Sequence, residues 1–206
     1  MKVVMINGSP NEHGCTFTAL SEAAAQLARH DIGAEMLWLG KHPVAGCIAC
    51  MKCMETGRCV FNDKVNETIE RLDEYSGMII GSPVYYAGPS GQIKCFLDRL
   101  FFAGGERLAC KPGAAVVSCR RGGASAAFDA LNKYFTIANM PVVASQYWNQ
   151  VHGQTPEEVR RDEEGMQTMR TLGENMAWLL RSIEAGKAAG LPAPKYEEHL
   201  WTNFMR

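Results

Sequence analysis

Short, unbroken apolar runs alternate along this chain with stretches of helical period, and that alternation leaves few architectures open. Residues 2–6 (KVVMI) are apolar from Val3 onward, so a strand built from them must be covered on both faces. The run stops at Asn7-Gly8-Ser9-Pro10, and residues 16–30 then carry Leu20, Ala23, Ala24 and Leu27 at helical spacing. Residues 35–39 read as the second strand, 64–75 as a helix, 78–81 as the third strand and 91–102 as a helix with Ile93, Phe96, Leu97 and Leu100 inward. Residues 114–118, 124–138 and 142–145 follow as strand, helix and fifth strand. Strand and helix in strict alternation specify an α/β fold: a doubly wound, five-stranded parallel sheet with helices on both faces. At Thr155-Pro156-Glu157-Glu158, an N-cap threonine, a proline at the first helical position and a glutamate three residues after the cap open a long final helix. Its stripe of Val159, Met166, Met169, Leu172, Met176, Leu179 and Ile183 suits a core or a subunit contact.

A chain of 206 residues with 47% apolar side chains can bury one sizeable core and needs no second domain. That domain is expected over residues 1–190. Residues 191–206 (LPAPKYEEHLWTNFMR) form a tail too short to bury Trp201 and Phe204 by itself, and it is expected to lie over a neighbouring subunit. With 21 basic against 22 acidic side chains the net charge is -1, which offers no electrostatic footprint for nucleic acid or an anionic membrane. No run approaches a bilayer span, and MKVVMINGSP lacks the apolar core of a secretion signal. The expected location is the cytoplasm, where eight cysteines are thiols or ligands and not a disulfide framework.

Four of those cysteines crowd into GCIACMKCMETGRC: Cys47, Cys50, Cys53 and Cys59, spaced C-x2-C-x2-C-x5-C. Three thiols so close together match the arrangement that grips several irons of one cubane cluster. All-sulfur coordination indicates zinc or iron-sulfur, while structural zinc usually takes two well-separated knuckles. By themselves the residues leave four readings open: a [4Fe-4S] site, zinc, a redox-active thiol pair, or small packing cysteines. Cys15, Cys95, Cys110 and Cys119 are scattered singly and read as partly buried filler.

The turn from Asn7 to Thr16 joins the first strand to the first helix, where backbone N–H groups and the hydroxyls of Ser9 and Thr16 favour a bound phosphate. It has neither the G-K-[ST] of a Walker A loop nor a G-x-G-x-x-G turn, so a monophosphate fits better than a pyrophosphate; ordinary capping of a strand-to-helix turn is the alternative. The third strand ends in GSPVYYAGPSG, and in a doubly wound sheet the loops after strands one and three flank the switch point where ligands bind. Tyr85 and Tyr86 there suit a flat heterocycle. SCRRGG, residues 118–123, opens on the same edge, where Arg120 or Arg121 would meet negative charge or form a solvated basic turn. No histidine pair has zinc or triad spacing, and no G-x-S-x-G or H-E-x-x-H motif anchors a hydrolase.

Taken together, GSPNEHGCT, GSPVYYAGPSGQIKCFLDR and the compact cysteine run resemble the flavodoxin-like NADPH-dependent FMN reductases, in particular the iron-sulfur flavoproteins among them, over residues 2–185 or so. The resemblance implies a flavodoxin-like sheet with Ser9, Asn11, Cys15 and Thr16 around the FMN phosphate and Pro83, Val84, Tyr85 and Tyr86 along the isoalloxazine. It also implies that Ser118, Arg120 and Gly122 approach the ring, and that Cys47, Cys50, Cys53 and Cys59 ligate a [4Fe-4S] cluster, although several related reductases keep only some of these cysteines. Many members carry Arg or Lys after the first turn's serine; here Pro10 and Asn11 follow Ser9, so the phosphate charge would rest on amides and the helix dipole. A homodimer or homotetramer is implied as well. The expected activity is FMN-dependent oxidoreduction, with electrons from NAD(P)H, or from a ferredoxin-like donor through the cluster, going to a small acceptor such as a quinone or flavin. Two other readings are a flavodoxin-like electron carrier, which is usually far more acidic than this chain, and a thiol or metal redox sensor.

Overall fold

The computed structural model describes residues 1–202 and 204; residues 203, 205 and 206 of the expected tail lie outside the described residues. The strands are β1 (Lys2–Asn7), β2 (Gly33–Trp38), β3 (Gly77–Tyr85), β4 (Gly88–Pro89), β5 (Gly113–Cys119) and β6 (Gln150–His152). The main sheet runs β2-β1-β3-β5-β6, with every neighbouring pair parallel, and β4 pairs only with β3, antiparallel. The chain reverses its winding between β1 and β3, which makes the crevice beyond their carboxyl ends the switch point.

The helices are α1 (Cys15–Ala28), α2 (Lys52–Thr56), α3 (Lys64–Glu70), α4 (Gly91–Gly104), α5 (Ala124–Ile137), α6 (Pro156–Arg161) and α7 (Glu163–Ala188). Alternate residues of β1 explain the two layers. Val4 and Ile6 pack with Val65, Phe96, Leu100 and Leu131 from α3, α4 and α5. Val3 and Met5 pack with Leu20, Leu27, Met169 and Met176 from α1 and α7. Both faces of the apolar runs are covered, and each fully buried aliphatic side chain contributes on the order of 2 kcal/mol.

The structure corrects the expected boundaries in four places. Residues 142–145 are not a strand: Val142 makes an isolated bridge to Gly113, and the chain returns to β5 only at Gln150, so β6 is the fifth parallel strand. The final helix breaks at Asp162 (ψ 81°), which ends α6 and caps α7. The helix expected over 64–75 stops at Glu70 and gives way to a short 3-10 turn at Leu72–Glu74. The third strand runs on to Tyr85 because β4 folds back on it, which puts Pro83, Val84 and Tyr85 on a strand and not in a loop.

Past Ala188 the chain turns at Gly190 (φ 83°), and the described residues beyond it have no regular structure. Trp201 and Phe204 are 88% and 90% exposed. No helix among the described residues is long and apolar enough to cross a membrane.

Candidate functional site

Sheet register aligns the strand ends that build the crevice. Asn7 lies opposite Gly81 and Pro83 opposite Ser118, so the loops after β1, β3 and β5 leave from one edge.

Asn7, fully buried, shapes the first loop. Its Oδ1 accepts from Ser9 N at 3.1 Å and its Nδ2 donates to Glu12 O at 3.0 Å. Ser9 Oγ accepts from Asn11 N at 3.1 Å and keeps its own O–H to donate. Trp38 Nε1 donates to Ser9 O at 2.8 Å and ties the turn to β2. The turn also presses on α4: a Cβ at Gly8 would stand 2.7 Å from Cβ of Ile93, which only glycine avoids. α1 then begins behind Gly14 with no side-chain cap and no acidic residue in its first turn. Its first amides are therefore unpaired and its dipole unanswered, which is what a bound phosphate would satisfy. Asn11 is exposed and Cys15 half-buried at that end. Burial pushes the Cys15 thiol up and keeps it neutral, so it adds no repulsion to an anion. Thr16 is buried, its hydroxyl 2.8 Å from Oγ of Ser118, and this bond joins the first loop to the third.

The second loop is a two-residue hairpin. Tyr85 pairs with Gly88, and Tyr86 and Ala87 between them both have positive φ, 49° and 59°. Two successive left-handed residues form a type I′ turn, normally built from Asn-Gly; with side chains there the cost is roughly 1–2 kcal/mol per residue. Pro83 and Val84 are half-buried below it, while Tyr85 and Tyr86 reach solvent. Strain held this way at a rim is characteristic of ligand-binding edges.

In the third loop, Arg120, Arg121 and Gly122 are exposed. Gly123 (φ 88°) lets the loop close on the hairpin, for a Cβ there would sit 2.7 Å from Cα of Ala87. The crevice thus gathers an unpaired helix end, buried hydroxyls at Ser9, Thr16 and Ser118, and a half-buried apolar wall. This donor set fits a flat ring carrying a monophosphate.

Between β2 and α3 the chain makes the cysteine loop. Cys47, Cys50, Cys53 and Cys59 all line one cavity, together with Phe61, Phe102 and Arg99. Cys47 and Cys50 are exposed, Cys53 and Cys59 half-buried, and all are free thiols. Burial, and after it the sulfurs of Cys47, Cys50 and Cys59, push the Cys53 thiol up. No group of three or more His, Cys, Asp or Glu side chains among the described residues is drawn tightly enough to hold a single ion. The four cysteines that line the cavity are soft donors of the type and number a cubane takes, one thiolate for each iron.

Arg99 and Asn66 are the site residues that sequence reasoning passed over. Asn66 brackets Cys59, accepting from its N at 2.8 Å and donating to its O at 2.9 Å. Arg99, only 2% exposed, stands in the cavity wall and donates from Nε to Cys59 Sγ at 3.1 Å. The available signal was a charged residue three positions after Phe96, on the buried stripe of α4.

Comparison with known proteins agrees with this geometry. Residues 1–155 match the family model described as NADPH-dependent FMN reductase. An iron-sulfur flavoprotein of Methanocaldococcus jannaschii is 33% identical over 192 residues, covering 89% of this chain and 100% of its own. The crystal structure of RosB with bound 8-demethyl-8-formylriboflavin-5'-phosphate is similar at a TM-score of 0.71 and 13% identity, over 98% of this chain and 92% of its own. A flavodoxin from the domain Archaea is similar at a TM-score of 0.61 and 14% identity, over 88% and 99%. At those identities the two structural likenesses speak for the flavodoxin-like fold alone. The family match and the near full-length flavoprotein relative reach further: the chain belongs to the NADPH-dependent FMN reductase family, in its iron-sulfur flavoprotein-like subgroup.

Proposed function

We propose that the chain is a cytoplasmic FMN-dependent oxidoreductase that also holds a [4Fe-4S] cluster on Cys47, Cys50, Cys53 and Cys59 and delivers electrons to a small acceptor such as a quinone or flavin. The observation that carries this reading is the shared cavity of the four cysteines, whose wall residue Arg99 sits on α4, the helix that starts directly after the hairpin. When bound, FMN would supply hydride and single-electron chemistry, and the cluster single-electron chemistry.

The chain's own residues bind, orient and shield. The first-turn amides of α1 with Ser9, Asn11, Cys15 and Thr16 would hold the phosphate. Pro83, Val84, Tyr85 and Tyr86 would hold the isoalloxazine, with Ser118, Arg120 and Gly122 of the third loop as its further partners. A ferredoxin-like donor suits the cysteine loop, whose Ile48, Met51 and Met54 are 61%, 52% and 66% exposed and offer an apolar docking rim. Direct hydride transfer from NAD(P)H is the second reading; the solvent-exposed hairpin of Tyr85 and Tyr86 favours it, since a nicotinamide needs one open ring face. A homodimer or homotetramer would cover Trp178, 70% exposed on α7, and the tail aromatics.

Protein made and purified without oxygen should contain FMN and about four irons and four sulfides per chain. Cys50→Ala should lose the iron and keep the flavin, since the phosphate turn and hairpin lie on other elements. Full FMN with no iron in the anaerobic wild type would leave a simple reductase, and no FMN at all would overturn the flavin site. Steady oxidation of NAD(P)H by the purified protein would separate an enzyme from a carrier or a sensor.

A further inference from the structure

Arg99 heads the largest fully buried side chains among the described residues. A charge so placed is costly unless paired and hydrogen-bonded. Its guanidinium spends every N–H. Nη1 donates to Asp63 Oδ2 at 2.7 Å and Ala45 O at 3.2 Å, and Nη2 to Asp63 Oδ1 at 2.8 Å and Phe61 O at 3.4 Å. One donor remains, Nε, and it goes to Cys59 Sγ at 3.1 Å. Arg99 Cζ stands over the Phe61 ring, 4.9 Å from the ring centroid. The fork faces the carboxylate and the single remaining N–H faces the sulfur, a division only arginine's planar geometry provides. With Asn66 on both of its backbone groups, Cys59 is fixed at main chain and sulfur alike, whereas Cys47 and Cys50 stand exposed.

We infer that Arg99 is a positioning residue that raises the reduction potential of the cluster through its hydrogen bond to the Cys59 sulfur. The inference rests on the cluster reading above. A donor to a ligating sulfur and a nearby positive charge both stabilise the extra negative charge of the reduced cluster, and hydrogen bonds to sulfur are among the factors that set cluster potentials. Burial strengthens the effect, because the local dielectric is far below that of water. Asp63, whose side chain is 36% exposed against 1% for Arg99, shares its charge with solvent and offsets only part of it.

The test uses two variants of the anaerobically prepared holoprotein. Arg99→Lys keeps a cation for Asp63 but cannot hold carboxylate and sulfur together in one plane. Arg99→Gln with Asp63→Asn removes both charges, so no carboxylate is left without its partner. Cluster midpoints are read by EPR-monitored redox titration, FMN midpoints by absorbance in the same titration, and iron and sulfide by assay. The expected result is full iron, a cluster midpoint shifted to more negative potential in both variants, and an FMN midpoint that does not follow. An unchanged cluster midpoint in iron-replete variants would overturn the inference. So would equal shifts of cluster and flavin, or loss of iron from both variants with the fold intact, which would make Arg99 a structural prop. Absence of iron from the anaerobic wild type would remove the cluster reading first and this inference with it, and it is read before any variant is made.

Discussion

With no side-chain cap and no acid in the first turn of α1, and with Pro10 and Asn11 where a basic side chain would help, the charge of the proposed phosphate would rest on hydrogen bonds. Replacing Ser9 and Thr16 together with Ala should weaken FMN binding by about 2–4 kcal/mol, taking about 1.5–3 for each hydrogen bond to a charged group and allowing water to recover part; fluorescence titration measures it. Unaltered affinity would take the turn out of the site. Ser9 and Thr16 stood out in the sequence as hydroxyls at a strand-to-helix junction, where capping was the competing use, and the structure leaves α1 without a side-chain cap. Arg99 did not stand out. Its acceptors on Cys59, Asp63 and Ala45 lie 40, 36 and 54 positions away, so no local pattern announces them, and an arginine inside an amphipathic helix ordinarily points to water. The spacing of the four cysteines singled out their loop while leaving its chemistry open, and the cavity they share depends on α4, which no spacing shows.

Among the elements, the strands of β1, β3 and β5 and the helices of both layers follow from apolar runs and helical period, since burial on two faces leaves little choice. β6 does not: QVH is too short for any period, and the more apolar 142–145 attracts the assignment although only Val142 bridges the sheet. Asp162 was equally silent, because its role joins two elements at once. Its Oδ1 accepts from Gly165 N at 3.0 Å as the cap of α7, and its Oδ2 accepts from His152 N at 2.7 Å on β6. Asp162→Ala should cost about 2 kcal/mol in urea unfolding, a lost cap plus a lost bond to a charged acceptor, and Asp162→Asn much less. At the other end of the sheet Glu35 on β2 binds Arg71 at 2.6 and 2.7 Å, Lys2 at 3.0 Å and Tyr75 Oη at 2.9 Å. Arg71 first among these holds its carboxyl down to about 2 from an ordinary 4.5. The ionised form is the one that folding stabilises, so this contribution is whole above pH 4.5 and drains away as pH falls toward about 2. Unfolding midpoints measured from pH 6 to pH 3 should fall less steeply in Glu35→Gln than in the wild type, which itself should be the more stable by about 1 kcal/mol at neutral pH.

For the molecule as a whole, the alternation of apolar runs with helical stretches pointed to an α/β fold, and a parallel sheet with helices on both faces is what forms. What composition could not reveal is how much apolar surface stays outside. Ile137, Trp178, Leu200, Trp201 and Phe204 are between 70% and 90% exposed, and three of the five lie in the tail. Deleting residues 191–206 should therefore lower the assembly state in sedimentation; the same assembly with and without the tail would count against its role between subunits. The cysteine loop has a different bearing on the whole. It leaves at Trp38 and returns at Lys64, whose Nζ donates to the Trp38 carbonyl at 2.7 Å. A segment stitched shut at its own base is a cassette. Its length can drift at little entropic expense, since closure grows only slowly with added residues. The frame beneath keeps its sheet, since the pairing of β1 with β2 and with β3 uses no residue of the cassette. A change in the length of a loop closed in this way then needs no redesign of the scaffold beneath it.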